Sequence, residues 1–175
     1  MSFSDYFSGL GSSVEIPKGA YLFRQHQEPA SLFFIEQGLV KAFYETFDGK
    51  EFIKSFIKEG QVIGSLQALV ADQSNSFSVI ALENCIVKKI SRSQLMQCVD
   101  STAHTRGWLN EFLLALAMKK EQREYEFLCL SAAERYLLFC QREAELVPRL
   151  SQLDIARYLG ITPVALSRIR RRLNF

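Results

Sequence analysis

The residues of this chain that are best suited to binding chemistry are arginines gathered near one end. Six arginines lie between Pro148 and Phe175, at positions 149, 157, 168, 170, 171 and 172, and the stretch holds one acid, Asp154. This stretch carries a net charge of +5, whereas the rest of the chain carries −3. Because guanidinium groups bind phosphate bidentately, such an asymmetry is typical of a polyanion-binding module joined to a different domain.

The elements that would position these arginines are two short helices joined by a tight turn. Ser151 followed by Asp154 resembles a capping box, and Gly160 suits the left-handed residue that ends a helix. Thr162 is a good N-cap, and Pro163 then stands at the first helical position, where its missing N–H does no harm. The pattern predicts a helix-turn-helix, the unit that places its second helix in a DNA major groove.

Helical spacing divides both predicted helices into an inner and an outer side. The inner residues are expected to be Leu153, Ile155, Ala156 and Leu159 in the first helix, and Leu166, Ile169 and Leu173 in the second. The expected DNA-binding residues are Ser151, Thr162, Val164, Ala165, Ser167, Arg168, Arg171 and Arg172. The alternative for all of them is a solvated basic helix pair without a binding role.

Composition restricts the remaining function classes. The chain has 175 residues, of which 48% are hydrophobic and 23% charged, as in a globular protein of one or two domains. It shows neither an apolar run of membrane-spanning length nor a signal-peptide pattern at its start. The four cysteines, at 85, 98, 129 and 140, lack metal-site spacing, so we expect free thiols, no metal and a cytoplasmic location.

The expected fold class is α+β. Alternating apolar residues predict strands at 14–16, 20–25, 32–36, 39–45, 51–57, 77–82 and 86–90, with a hairpin at Asp48-Gly49 and breaks at Gly60 and Gly64. Short strands in this number, without long helices between them, indicate a β-sandwich or a β jelly roll, and we expect the jelly roll. Helices follow from Ser91 to Val99, from Thr102 to Leu130 and from Ala132 to Leu146. The predicted domains are 1–101 (sensor), 102–130 (dimerisation helix) and 131–175 (DNA binding).

The long helix carries an apolar surface too wide for a single partner, which predicts a homodimer. Its expected interface consists of Trp108, Leu109, Phe112, Leu113 and Leu116.

This order of domains resembles the Crp–Fnr family of bacterial transcription regulators. The most specific stretches are 59–64, which is similar to the loop that enters the family's phosphate-binding cassette, and Leu166-Ser167-Arg168-Ile169 in the second helix. The resemblance implies a cyclic-nucleotide-binding-like sensor domain and a homodimer that binds a palindromic operator in double-stranded DNA. It also implies RNA polymerase as a further partner, and no membrane.

Two positions of the cassette depart from the family members that bind cyclic nucleotides. Those members place an acid after the cassette glycine and an arginine before a Ser or Thr, whereas this chain has Ser65 after Gly64 and Asn75 before Ser76. Losing one partner of a buried charge pair costs about 3–5 kcal/mol, so cyclic AMP is not expected to bind. The oxygen-sensing branch uses an N-terminal cysteine cluster, which this sequence lacks, and haem has only His26 or His104 as ligands.

No cofactor is therefore expected to be required, and an unknown small-molecule effector stays open. Its expected site comprises Ser55, Gly64, Ser65, Leu66, Asn75, Ser76, Leu116 and Lys120. Lys120 would supply positive charge for an anionic effector. The alternative is a vestigial pocket in a regulator that needs no ligand.

The second helix also departs from well-studied members. Pro163 and Val164 replace an Arg-Glu pair, whereas Arg168 is kept and is suited to bidentate contact with guanine. The chain stops two residues after Leu173, where members usually continue into a winged hairpin, so Arg170, Arg171 and Arg172 are expected to provide phosphate contacts.

Two other function classes remain as alternatives. A cupin-like enzyme would need two or three convergent histidines plus a carboxylate. The chain has only His26 and His104, and His104 lies outside the predicted barrel, so we do not expect an enzyme. A sensor protein that binds nucleic acid nonspecifically would show no sequence preference.

Overall fold

The computed structural model describes residues 11–28, 30–71, 73–101 and 103–173. Side chains are described in these ranges except at 99–101, 103, 104 and 108, so the roles predicted for His104 and Trp108 lie outside them. The chain forms two compact units, one ending at Leu109 and the other beginning at Asn110. Among the described residues, no helix combines the length and the apolar character needed to cross a membrane.

The first unit is built on two four-stranded antiparallel sheets. Its strands are β1 (Ser12–Ile16), β2 (Tyr21–Phe23), β3 (Ser31–Gln37), β4 (Val40–Glu45), β5 (Glu51–Ile57), β6 (Val62–Ile63), β7 (Ser78–Ala81) and β8 (Cys85–Ser91). One sheet has the order β1-β8-β3-β6, and the other has the order β2-β7-β4-β5. Strands that are neighbours in space but distant in sequence are typical of a jelly roll, and the predicted fold class is confirmed.

Strand β3 shows how the sequence holds this unit together. Side chains alternate across a strand, so Phe33 and Ile35 join the core between the sheets, whereas Leu32 and Phe34 join a second cluster with Leu69. Fully burying one such side chain contributes about 1.5–3 kcal/mol. Both faces of β3 are therefore buried from residue 32 to residue 35, where its sequence is a continuous apolar run.

Two helices belong to the β-domain. Helix α1 (Leu66–Ala71) follows the cassette glycine, and α2 (Arg92–Ser101) follows β8. The start of α2 is capped, because Ser91 Oγ accepts a hydrogen bond from the Gln94 N–H. Helix α1 was not predicted, since six residues are too few to show helical periodicity.

The remaining helices are α3 (Ala103–Cys129), α4 (Ala132–Arg142), α5 (Gln152–Leu159) and α6 (Pro163–Arg172), with a 3-10 turn at Val147–Arg149. Ser131 and Glu134 form a capping box at the start of α4. The predicted end of α4 at Leu146 is wrong. Because the Pro148 ring would clash with the carbonyl four residues earlier, the chain leaves the α-helix before it and tightens into the 3-10 turn.

The helix-turn-helix is confirmed in its local details. Ser151 Oγ accepts from the Asp154 N–H at 3.0 Å, and Thr162 Oγ1 accepts from the Ala165 N–H at 3.2 Å. Gly160 adopts a left-handed conformation with φ of 69°. The inner position predicted for Leu153 is wrong, because its side chain is 44% exposed. Leu153 lies two residues before Ile155, about 200° away around the helix, and so faces outward.

Gly160→Ala is expected to destabilise the protein by about 2 kcal/mol, since an L-residue at positive φ costs about 1–2 kcal/mol and a Cβ there would lie 2.9 Å from Phe127 Cε1. Gly19→Ala is the matched control, because Gly19 has φ of 83° and a Cβ there would meet nothing within 4 Å. We expect the control to lose about half as much. Urea unfolding followed by circular dichroism measures both, and equal losses would contradict the role of the Phe127 contact.

Candidate nucleic-acid interface and sensor cassette

Helix α6 presents a stripe of three polar side chains and one valine to solvent. Val164 is 61% exposed, and Ser167, Arg168 and Arg171 are exposed as well. These residues follow one another at spacings of three, one and three, so they lie on one side of the helix. The opposite side is formed by Leu166 and Ile169, which are buried. Exposed guanidinium groups beside an apolar side chain are suited to base edges and phosphates of a DNA major groove.

The other predicted DNA-binding residues lie around this stripe. Arg172 is exposed one turn beyond Arg168, and Ala165 is half-buried. The hydroxyls of Ser151 and Thr162 cap their helices, and Ser151 Oγ also donates to Asp154 Oδ2 at 2.6 Å. Ser151 and Thr162 therefore serve first to fix the two helices.

A surface groove of about 410 Å³ runs beside the stripe. It is lined by Gln152, Pro163, Ser167, Arg170 and Arg171. Side-chain amides, hydroxyls and guanidinium groups are the donors that proteins use to contact backbone phosphates. The groove is thus chemically suited to one DNA strand.

Arg170 differs from the arginines next to it. Its Nε is buried without a hydrogen-bond partner among the described residues, and its side chain hydrogen-bonds the buried Tyr136 on α4. Burial raises the pKa of Tyr136, and this hydrogen bond opposes that change. Arg170 therefore ties α6 to α4, while Arg171 and Arg172 are exposed.

In the cassette, Ser65 and Ser76 come together. Ser65 is fully buried, and its Oγ lies 3.2 Å from Ser76 Oγ. The same oxygen accepts from the N–H of Ser76 at 3.2 Å and from the N–H of Ala68 at 3.4 Å. Ser65 thus caps α1 and joins both sides of the cassette, so its hydroxyl is engaged within the chain.

Asn75 is buried and mostly engaged by a neighbouring turn. Its Nδ2 donates to the Gln27 carbonyl at 2.5 Å, and its own carbonyl accepts from the His26 N–H at 2.8 Å. Asn75 Oδ1 is buried without a hydrogen-bond partner among the described residues. Asn75, which we expect to stand where nucleotide-binding members hold an arginine, therefore presents an unpaired acceptor.

Of the other residues predicted for the effector site, three lie in the first unit and two in the second. A Cβ on Gly64 would lie 2.9 Å from Leu32 Cδ1 and 3.1 Å from the Ser31 carbonyl oxygen, so these neighbours would have to shift to admit a side chain. Ser55 and Leu66 are half-buried. Leu116 and Lys120 belong to the other unit, and their part in the site stays a prediction.

Metal ligands are not assembled in the part of the chain that the structure describes, which holds no group of three or more His, Cys, Asp or Glu side chains suited to an ion. The four cysteines are free: Cys85 is buried, Cys98 and Cys140 are half-buried, and Cys129 is exposed. Burial raises the pKa of the Cys85 thiol, which disfavours the reactive thiolate.

Helix α3 carries an exposed apolar seam whose residues were not among the predicted interface residues. Leu114, Met118, Tyr125 and Leu128 are between 53% and 76% exposed. Together with Glu121 they follow spacings of four, three, four and three residues, which is the pattern of a two-stranded coiled coil. We call these five residues the α3 seam.

The predicted interface residues are less exposed. Leu109, Phe112 and Leu116 are half-buried, and Leu113 is 36% exposed. The α3 seam is thus the better candidate for a partner surface, and the signal that identifies it is the heptad spacing.

Comparison with known proteins places these features in a family. The sequence profile of the cyclic nucleotide-binding domain family matches residues 13–102. The fumarate and nitrate reduction regulatory protein of Vibrio cholerae is 31% identical over 174 residues, a match that covers 91% of this chain and 67% of that protein. Electron transport regulator A of Shewanella oneidensis is 28% identical with the same coverage.

Among solved structures, FixK2 from Bradyrhizobium japonicum aligns with a TM-score of 0.83 at 19% identity, over 94% of this chain and 85% of that chain. This likeness concerns the fold. The chain spans about two thirds of the length of the curated relatives it matches.

Proposed function

Because the chain belongs to the Crp–Fnr family of transcription regulators, we propose that it is a homodimeric regulator that binds a palindromic DNA operator. The observation that carries this proposal is the exposed stripe of Val164, Ser167, Arg168 and Arg171 on the second helix of a capped helix-turn-helix. Arg168 reads guanine, Val164 packs on a thymine methyl, and Arg171 and Arg172 contact phosphates.

The α3 seam is the dimer contact in this proposal. Four large apolar side chains at heptad spacing are suited to knobs-into-holes packing with a second copy of the same helix. A parallel pair brings two identical helix-turn-helix units to one face of the dimer, as a palindromic operator requires. RNA polymerase is the further partner of such a regulator.

The sensor cassette in this proposal responds to a small molecule other than a cyclic nucleotide, or has lost its ligand. Ser65, Asn75 and Ser76 include no cation, and the Ser65 hydroxyl is engaged by Ser76 and Ala68. A phosphodiester bound here would therefore have no positive charge opposite it. It would also lie next to the unpaired oxygen Oδ1 of Asn75, which is itself a hydrogen-bond acceptor. The chemistry favours an effector that donates a hydrogen bond at this point.

Cyclic AMP and cyclic GMP are expected to bind about two to four decades more weakly than to a cassette with an arginine, since a missing partner of a buried charge costs about 3–5 kcal/mol. Isothermal titration calorimetry with each nucleotide measures this. A dissociation constant in the low micromolar range would contradict the assignment of Asn75 to the phosphate position.

The function itself is tested by fluorescence anisotropy with duplexes selected from a random pool. The proposal expects the purified chain to bind the selected duplex at least about a thousandfold more tightly than a scrambled duplex of equal composition. Equal affinity would leave only nonspecific binding of nucleic acid, and no binding to either duplex would exclude both functions.

A further inference from the structure

Two arginines from different helices meet the C-terminal end of α5. Arg123, on α3, donates from Nη2 to the Tyr158 carbonyl at 2.7 Å, and its guanidinium lies 3.9 Å from the centre of the Tyr158 ring. Arg135, on α4, donates from Nη2 to the Leu159 carbonyl at 3.2 Å. The last residues of the first helix of the helix-turn-helix are thus held from two directions.

The same two arginines also connect back to the end of α3. Arg135 Nη1 donates to the Leu130 carbonyl, just beyond α3, at 2.7 Å. The guanidinium carbons of Arg123 and Arg135 lie 4.7 and 4.8 Å from the centre of the Phe127 ring, which belongs to α3. We call Arg123 and Arg135 the arginine clamp, because together they link the end of α3 to the end of α5.

The partial charges of the α5 C-terminus favour the two hydrogen bonds to its carbonyl groups, whereas the two guanidinium groups repel each other. Carbonyl groups at a helix C-terminus carry partial negative charge, so cations are stabilising there. Burial lowers the pKa of Arg123, but a guanidinium remains charged at neutral pH. Its planar group hydrogen-bonds along its edge and stacks through its faces at the same time, which an ammonium group does not do.

The arginine clamp lies at the junction that sets the angle between α3 and the helix-turn-helix. Helices α5 and α6 are joined by the two-residue turn after Gly160, so they move together, and their attachment to α3 passes through α4 and the clamp. A tilt at this point would move the recognition helix relative to the α3 seam. In a dimer that tilt would change the distance between the two recognition helices.

We propose that Arg123 and Arg135 are positioning residues that fix the angle between the dimerisation helix and the recognition helix and thereby set the half-site spacing that the dimer accepts. This inference rests on the proposed function. Inserting or removing one base pair moves a half-site by about 3.4 Å and rotates it by about 34°. A rigid clamp makes the protein sensitive to that change, whereas a loose attachment tolerates it.

The experiment compares the selected operator with versions whose spacer is one base pair shorter or longer. The spacing ratio is the affinity for the selected operator divided by that for each altered version. The variants are Arg123→Met, Arg135→Met and Arg123→Lys, and Arg106→Met is the control. Arg106 is exposed on α3 and takes no part in the clamp. Fluorescence anisotropy gives the ratios, and circular dichroism reports folding.

The methionine variants are expected to lower the spacing ratio roughly fivefold or more, with Arg106→Met unchanged. Arg123→Lys keeps the charge beside the carbonyl without the planar stack, so its ratio is expected to fall between those of the wild type and Arg123→Met. Spacing ratios equal to wild type in folded Arg123→Lys and Arg135→Met would overturn the inference. Failure of the wild type to prefer any two-half-site duplex would instead overturn the proposed function.

Discussion

Replacing both Leu114 and Met118 with glutamate is expected to convert the dimer into monomers and to weaken operator binding by at least about two decades. Burying one such apolar side chain contributes about 1.5–3 kcal/mol, and a two-fold seam buries each position twice. The variant also places carboxylates opposite their own copies, which adds like-charge repulsion. Sedimentation velocity at micromolar concentration measures the first effect, and anisotropy on the selected operator measures the second.

Val70→Glu is the matched control for this change. Val70 is 67% exposed, as Met118 is, but it lies on α1 and outside the α3 seam. We expect the control to remain a dimer with unchanged operator affinity. A wild-type protein that sediments as a monomer, or a double variant that remains dimeric, would show that the seam is not the contact.

The second large effect is expected from substitutions of Arg168 and Arg171 on α6, because these two arginines have different roles in DNA binding. Arg168→Ala should cost about 1–3 kcal/mol at one base pair in each half-site and relax the preference there, because a bidentate contact with guanine is lost. Arg171→Ala should weaken binding to all sequences alike. It should also reduce the slope of log K against log salt, which is expected to be roughly −5 for about three neutralised phosphates per subunit.

Affinities for a set of single-base operator variants at several salt concentrations distinguish the two roles. Both arginines are exposed, and neither change is expected to alter folding. Identical specificity profiles for Arg168→Ala and Arg171→Ala would contradict the assignment of base contact to Arg168.

The helix-turn-helix could be predicted because its signals are local. A cap at Ser151, a left-handed residue at Gly160 and a cap at Thr162 act on backbone groups within four residues. Seven of the eight strands that the structure describes were predicted from local apolar patterns and turn signals, whereas β6 has only two residues and is too short to show a pattern.

The α3 seam was identified from the exposure of its side chains in the folded chain, and the arginine clamp depends on contacts that local patterns do not encode. Glu121 interrupts the apolar positions of the seam, and the denser apolar run before it drew the prediction toward residues 108–116. The clamp joins Arg123 to a carbonyl 35 residues away, and a sequence pattern cannot indicate an acceptor on the main chain. Likewise, the contact between the hydroxyl groups of Ser65 and Ser76 forms only when the cassette is folded, so the sequence alone did not indicate it.

Selection of duplexes from a random pool by the purified protein, followed by footprinting on the enriched sequence, tests the central claim most directly. A homodimer with one recognition helix per subunit predicts an inverted repeat whose half-sites lie about 34 Å apart, protected symmetrically on both strands. An enriched sequence without two-fold symmetry, or a pool that remains random after selection, would contradict the proposal that this protein is a dimeric, sequence-specific regulator.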